Sequence, residues 1–157
     1  MHLRHTLRPG DLSAITSLHA FVYSREYGFD HTFEAYVAGP LAAFVATNPP
    51  RSRLWIAESS DKLAGCIAIV PASESEAQLR WFLVNPASRG RGLGRRLLTE
   101  AINFSRESQY SSIILWTVAA LTSAARLYQA AGFTKVESNQ THLWGVDAIE
   151  EKYHLSL

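Results

Sequence analysis

Eight residues near the middle of the chain, Arg89-Gly90-Arg91-Gly92-Leu93-Gly94-Arg95-Arg96, restrict what it can fold into more than any other stretch. Three glycines alternate with larger residues, so the backbone can take positive φ and bring successive N–H groups together. Upstream, Gln78 to Val84 reads as a strand that stops at Asn85-Pro86. Downstream, Leu93, Leu97, Leu98, Ala101, Ile102 and Ser105 mark one face of a helix. A strand-loop-helix unit of this kind aims free amides, at the positive end of a helix, toward an anion. Between Ala77 and Thr99 there are five arginines and no acid, although the whole chain has 15 Lys+Arg against 14 Asp+Glu and a formal net charge of +1. Positive potential is therefore gathered at one loop, which suits a di- or triphosphate group. Glycine spacing alone fits a solvated Gly-rich turn equally well.

Two familiar phosphate loops do not match. A P-loop ends in Gly-Lys-Ser/Thr, and here Gly94-Arg95-Arg96 stands in its place. A dinucleotide fingerprint starting at Gly90 needs a third glycine where Arg95 stands, and an acid about twenty residues on; residues 110–126 contain none.

Around this unit the pattern predicts β-α-α-β-β-β-α-β-α-β-β. Leu3 to Arg8 reads as a short strand before the Pro9-Gly10 turn, with Asp11 or Ser13 capping a helix that runs to Gly28. A second helix follows from about Thr32 to Pro49-Pro50, with Gly39-Pro40 expected to kink or divide it. Arg53–Glu58 and Lys62–Pro71 form a hairpin across Ser59-Ser60-Asp61, and Ser112–Val118 is a buried strand. Thr122–Ala131 is a helix closed by Gly132. Phe133–Glu137, with either Thr141–Val146 or Lys152–Leu155, supplies the closing strands. The fold class is α/β with mixed strand directions.

Composition excludes several functions. The balanced charge gives no broad surface for nucleic acid or an anionic membrane, and the longest uncharged stretch, Ser108 to Ala125, is too polar to span a bilayer. The first twenty residues lack the apolar core of a signal peptide. The single cysteine, Cys66, cannot form an intramolecular disulfide and suits a reducing, cytoplasmic setting; in the apolar run Leu63–Val70 it reads as a buried, inert thiol. Six histidines show no helical ligand spacing and no cysteine partner, so no metal is expected.

Arg89-Gly90-Arg91-Gly92-Leu93-Gly94 also resembles the Gln/Arg-x-x-Gly-x-Gly/Ala signature of the GNAT superfamily of acyl-CoA-dependent N-acetyltransferases, and Leu127-Tyr128-Gln129-Ala130-Ala131-Gly132-Phe133 is similar to that family's Leu-Tyr-x-x-x-Gly-Phe segment. The stretch from Arg89 through Phe133 further resembles GNAT domains fused behind MarR-type regulators, here as a stand-alone copy.

The resemblance implies a single domain over residues 1–157, with a mixed central sheet of about six to seven strands and about four helices. It implies acetyl-CoA as cosubstrate, its pyrophosphate on backbone amides from Arg89, Gly90, Arg91, Gly92, Leu93 and Gly94. Its pantetheine arm would lie along Leu83 and Val84, where a bulge splays the strand from its neighbour. It implies transfer of acetyl to a primary amine by direct attack, with Tyr128 as the acid that protonates the leaving thiolate.

Two departures stand out. Leu121 occupies a position where the family often has asparagine. The strand before the loop also lacks the glutamate that many members use as base, leaving Glu26, Glu74, Glu76, His142 or water as candidates. A CoA-binding sensor without turnover is the alternative function. Tyr23, Tyr27, Phe29, Phe33 and Tyr36 are core residues or walls of an acceptor pocket. A homodimer is compatible with such a fold, and the acceptor is not readable from the chain.

Overall fold

The computed structural model describes residues 1–157. The elements are β1 (His2–Arg4), α1 (Asp11–Tyr27), α2 (His31–Thr47), β2 (Arg53–Ser59), β3 (Lys62–Pro71), β4 (Glu76–Val84), α3 (Leu93–Glu107), β5 (Ser112–Val118), α4 (Thr122–Ala130), β6 (Thr134–Leu143) and β7 (Val146–Ser156). They build one seven-stranded sheet in the order β1-β2-β3-β4-β5-β7-β6, antiparallel except where β4 meets β5. Helices cover both faces. In β2, Trp55 and Ala57 join the core beneath α3 and α4, while Leu54 and Ile56 join the core beneath α1 and α2. This is the period-2 alternation of a strand buried on both sides.

Several expectations need correction. β1 ends at Arg4 rather than Arg8, because the Arg4 guanidinium turns inward to Asp11 Oδ1 at 2.8 Å and Glu58 Oε1 at 2.7 Å. Asp11 is thereby occupied, and neither it nor Ser13 caps α1; the N-cap is Gly10 at φ 94°. Helix α2 is not divided at Gly39-Pro40 and runs on to Thr47. Proline removes one backbone donor there, while Val37, Leu41 and Phe44 stay buried on either side of it.

At the C-terminal end both proposed closing strands belong to one long hairpin. Thr141–Val146 is its tip, where Trp144 (φ 52°) and Gly145 (φ 80°) form a two-residue left-handed turn, and Lys152–Leu155 lies inside β7. β6 extends to Leu143 because it pairs with β7 throughout, although Glu137-Ser138-Asn139-Gln140 carries no apolar signal.

Two irregularities in β4 position the site. Register passes from Cys66↔Leu83 to Ala68↔Arg80, so β4 carries one extra residue opposite β3. Trp81 takes up that residue at φ 48°, an unusual conformation for a bulky side chain. Ala77 and Leu79 therefore face α3, whereas Trp81 and Leu83 face α1 and α2. Secondly, β4 pairs with β5 only at Glu76↔Ser112, Ala77↔Ile113 and Gln78↔Ile114. Beyond Gln78 the strands separate and leave a slot.

Candidate active site

The Gly/Arg loop leaves the slot at Asn85, makes a single 3-10 turn (Pro86–Ser88) and enters α3. Gly90 and Gly92 both stand at φ 76°. A Cβ added to either would meet nothing within 4 Å, so these glycines serve backbone conformation rather than space. Gly94 is the reverse case. It is helical, and a Cβ there would come within 2.9 Å of Leu127 Cδ1 and 3.6 Å of Phe82 and Val84, so its bareness lets α4 and β4 close around the helix start.

The result is six consecutive backbone N–H groups, Gly90 through Arg95, that donate to no backbone carbonyl. The loop and the start of α3 line a cleft of about 670 Å³ that continues along β4 between α1 and α4. Of the residues expected to bind the cosubstrate, Leu83, Val84, Arg89, Gly90, Gly92, Leu93 and Gly94 line it, and Arg91 does not. Arg95 and Arg126, not singled out from the sequence, do.

Arg89 departs from its expected part. Its N–H is already bonded to Pro86 O, and its guanidinium grips both carboxylate oxygens of Glu26 at 2.6 and 3.0 Å. This ties the loop to α1 and places Glu26, an expected candidate base, in the wall of the cleft. Val84 pairs with Gly65 next to the Asn85 N–H bond to Ala64 O. By antiparallel alternation the Val84 N–H and C=O therefore turn away from β3, into the slot, and those of Leu83 turn toward β3.

A second cavity of about 110 Å³ opens on the α1/α2 side of the same strand. Tyr23, Phe82 and Leu121 line both cavities, so the two meet there. Of the aromatic group, Tyr23, Phe29, Phe33 and Tyr36 line the second cavity, while Tyr27 lines the cleft. The hairpin tip completes its wall: Trp144 packs on Phe29 and Phe33 with ring centroids 4.9 Å apart, and its carbonyl accepts from Asp30 N–H at 2.9 Å.

Tyr128 on α4 also lines this cavity, between Phe82, Phe133 and Tyr153. Burial, with Tyr153 nearby, pushes its pKa well above the ordinary phenol value, so the hydroxyl keeps its proton. His19 forms another part of the wall. Burial holds its pKa down to about 4, against the opposing hydrogen bond of Nδ1 with Ile15 O. Cys66 lies behind the bulge with its thiol on Trp81 O at 3.2 Å, pushed up to about 12 by burial, and is not a nucleophile.

The carboxylate lining the cavity is Glu150, which sequence reasoning missed. It lies on β7 opposite Val118, and only the hairpin register brings it there. Glu76 instead accepts from the Ser112 hydroxyl, and His142 pairs with exposed Asp147. Neither Glu74, Glu76 nor His142 lines either cavity. Leu121, in place of asparagine, sits at the N-cap of α4 without any side-chain cap. No cluster of three or more His, Cys, Asp or Glu side chains comes together, and no helix is long and apolar enough to cross a membrane.

Known proteins share this fold. The structure superposes over its whole length on a ribosomal-protein-alanine N-acetyltransferase from Brucella melitensis (TM-score 0.82, 18% identity, 100% of both chains). It also superposes on an acetyltransferase from Salmonella typhimurium solved with acetyl-CoA (TM-score 0.80, 18% identity, 99% of this chain and 93% of that one). In sequence it is 31% identical to human N-acetyltransferase 8B over 113 residues, 66% of this chain, and spans only about half (50%) of that relative's length. An uncharacterised N-acetyltransferase from Schizosaccharomyces pombe is 33% identical over 120 residues, 73% of this chain and 72% of that protein. The acetyltransferase (GNAT) family model matches residues 14–133, from helix α1 through the Tyr128 segment, and the chain belongs to that family.

Proposed function

We propose that the chain is an acetyl-CoA-dependent N-acetyltransferase that acts on a primary amine in a ternary complex. One observation carries this reading: six unbonded amides stand at the end of a splayed strand, and the buried, protonated Tyr128 packs on Phe82, where the two cavities meet. The donor set fits acetyl-CoA. Gly90 and Gly92 through Arg95 offer N–H groups at a helix N-terminus to a pyrophosphate, Arg95 and Arg126 add charge, and Val84 offers backbone hydrogen bonds to an extended amide arm.

Acetyl-CoA supplies the activated acyl group as a thioester. The acceptor nitrogen forms a C–N bond to the acyl carbon as the C–S bond breaks. One proton leaves the amine, and Tyr128 Oη gives one to the departing sulfur. Because burial disfavours the phenolate, Tyr128 is restored by reprotonation after each turnover. The unpaired, buried Cys66 supports a reducing compartment such as the cytoplasm.

The test is thermal unfolding with millimolar acetyl-CoA against ATP and NAD, followed by thiol release with mixed amines. Ligand at about 100 times Kd stabilises the fold by ~2.7 kcal/mol, a shift easily resolved. A rise specific to acetyl-CoA with thiol release supports the enzyme. A rise without release from any amine would make the chain a sensor, and no specific rise would return the loop to a general anion site.

A further inference from the structure

Arg80 is the unexplained group beside the acceptor cavity. It is the last residue of β4 before the bulge, and its half-buried side chain lines the cavity. The guanidinium lies 4.9 Å from the Trp81 ring centroid and 5.9 Å from that of Tyr36. Its ion-pairing capacity is unused, in contrast to Arg4 and Arg89, each of which grips a carboxylate. Tyr36 is 47% exposed and marks the mouth. Glu150, on β7 opposite Val118, lines the same cavity. The rest of the wall is largely aromatic, with Tyr23, Phe29, Phe33 and Trp144.

We propose that the acceptor is an amino acid with a free carboxylate and an apolar or aromatic side chain. Arg80 holds the carboxylate, Glu150 orients the amine, and the aromatic wall takes the side chain. The inference rests on the acetyltransferase reading above and names its substrate class. A guanidinium stacked on rings is oriented in advance and presents a planar fork to a carboxylate. The cavity of about 110 Å³ is smaller than the ~150 Å³ apolar cavity that holds benzene, but it is continuous with the cleft at Tyr23, Phe82 and Leu121, so a one-ring side chain lies partly in it.

The chemistry balances. The amine enters protonated, Glu150 Oε accepts one ammonium proton, and the free nitrogen bonds to the acyl carbon. The second proton lost from nitrogen passes to water, and Tyr128 protonates the sulfur. A polyamine is disfavoured, because one carboxylate faces a fixed cation at the mouth.

The test uses the full chain with acetyl-CoA and compares L-phenylalanine, L-phenylalaninamide, 2-phenylethylamine and spermidine by thiol release. Calorimetric binding of each to the CoA-saturated protein accompanies it. L-phenylalanine should show a KM at least about tenfold lower than its amide, and Arg80→Ala should collapse that preference toward one. Glu150→Gln should lower kcat for every acceptor and shift the lower limb of the pH–rate profile, a response that a merely structural role would not give.

Equal use of L-phenylalanine and its amide, an Arg80→Ala variant with the same preference as the parent, or a preference for spermidine would overturn the acceptor assignment and leave the acetyltransferase standing. Absence of L-phenylalanine binding to the CoA-saturated protein overturns the assignment even without turnover. Failure of acetyl-CoA itself to bind overturns the underlying reading instead.

Discussion

The cofactor cleft and the acceptor cavity share a strand but are made of different material. The loop end of the cleft is built from backbone: amides freed by glycine conformation, a helix start, and the unpaired edge of β4. The acceptor cavity is built from side chains contributed by α1, α2, β4, β5, α4, β7 and the hairpin tip. A backbone site depends on a few consecutive residues and binds a part of the ligand that never changes. A side-chain site depends on the whole fold and can be altered one wall at a time. On the proposed function, the molecule thus separates an invariant binding task from a variable one.

The largest test of this separation is Gly92→Glu. A side chain there strains a residue at φ 76° and puts a carboxylate at the positive end of α3. Acetyl-CoA should lose all its stabilising effect in thermal unfolding, while the unliganded protein still folds, since a Cβ at Gly92 meets no neighbour. Tyr128→Phe acts on the other side. It should lower kcat by about 10²–10⁴ and leave the acetyl-CoA-induced shift in place, measured by thiol release and unfolding on the same sample.

His19 allows the acceptor side to be weakened by pH. Its folded pKa of about 4 lies below the ordinary 6.5, so the unfolded chain binds the proton more readily. Stability from this group is complete above pH 6.5 and is lost progressively as pH falls toward 4, by about 3 kcal/mol. Urea unfolding from pH 7 to 4 should show this loss, and His19→Gln should flatten it.

Gly65→Ala probes the strand that both sites share. Its Cβ would meet the Leu83 carbonyl at 2.9 Å, a backbone contact that cannot rotate away, and overpacking of this kind costs about 1–3 kcal/mol. The smallest effect belongs to the Arg89–Glu26 pair, with side chains 45% and 30% exposed. Glu26→Gln should change stability by no more than about 1 kcal/mol, read from the urea midpoint. A larger loss would show that the cleft depends on side chains after all.

The same distinction governs what was legible in the sequence. The Gly/Arg loop, the amphipathic α3 and the β2-β3 hairpin each announce themselves within ten or so residues, because their signals are local. Tyr128 became legible through its motif. Glu150 did not, because nothing near it in sequence says that β7 will carry it to Val118. The Trp144-Gly145 turn was hidden because tryptophan is not a residue of left-handed turns, and its docking on Phe29, Phe33 and Tyr36, with the Asp30 N–H on its carbonyl, comes from residues far away in sequence. Trp81 conceals the bulge in a subtler way. Every second residue from Ala77 to Leu83 is buried, as in a regular strand, yet the face they occupy changes midway. The intervening positions change face too. Gln78 and Arg80 line the acceptor cavity, and Val84 lines the cofactor cleft.

The separation of β4 from β5 has a mechanical consequence. Strands β1 to β4 form one plate and β5, β7 and β6 another. The two are hydrogen-bonded at only three register pairs, Glu76↔Ser112, Ala77↔Ile113 and Gln78↔Ile114, and α3 packs against the joint. Both cavities take wall residues from β4 on one side of this joint and from α4 on the other, so any change in the spacing of the two halves would act on both cavities at once.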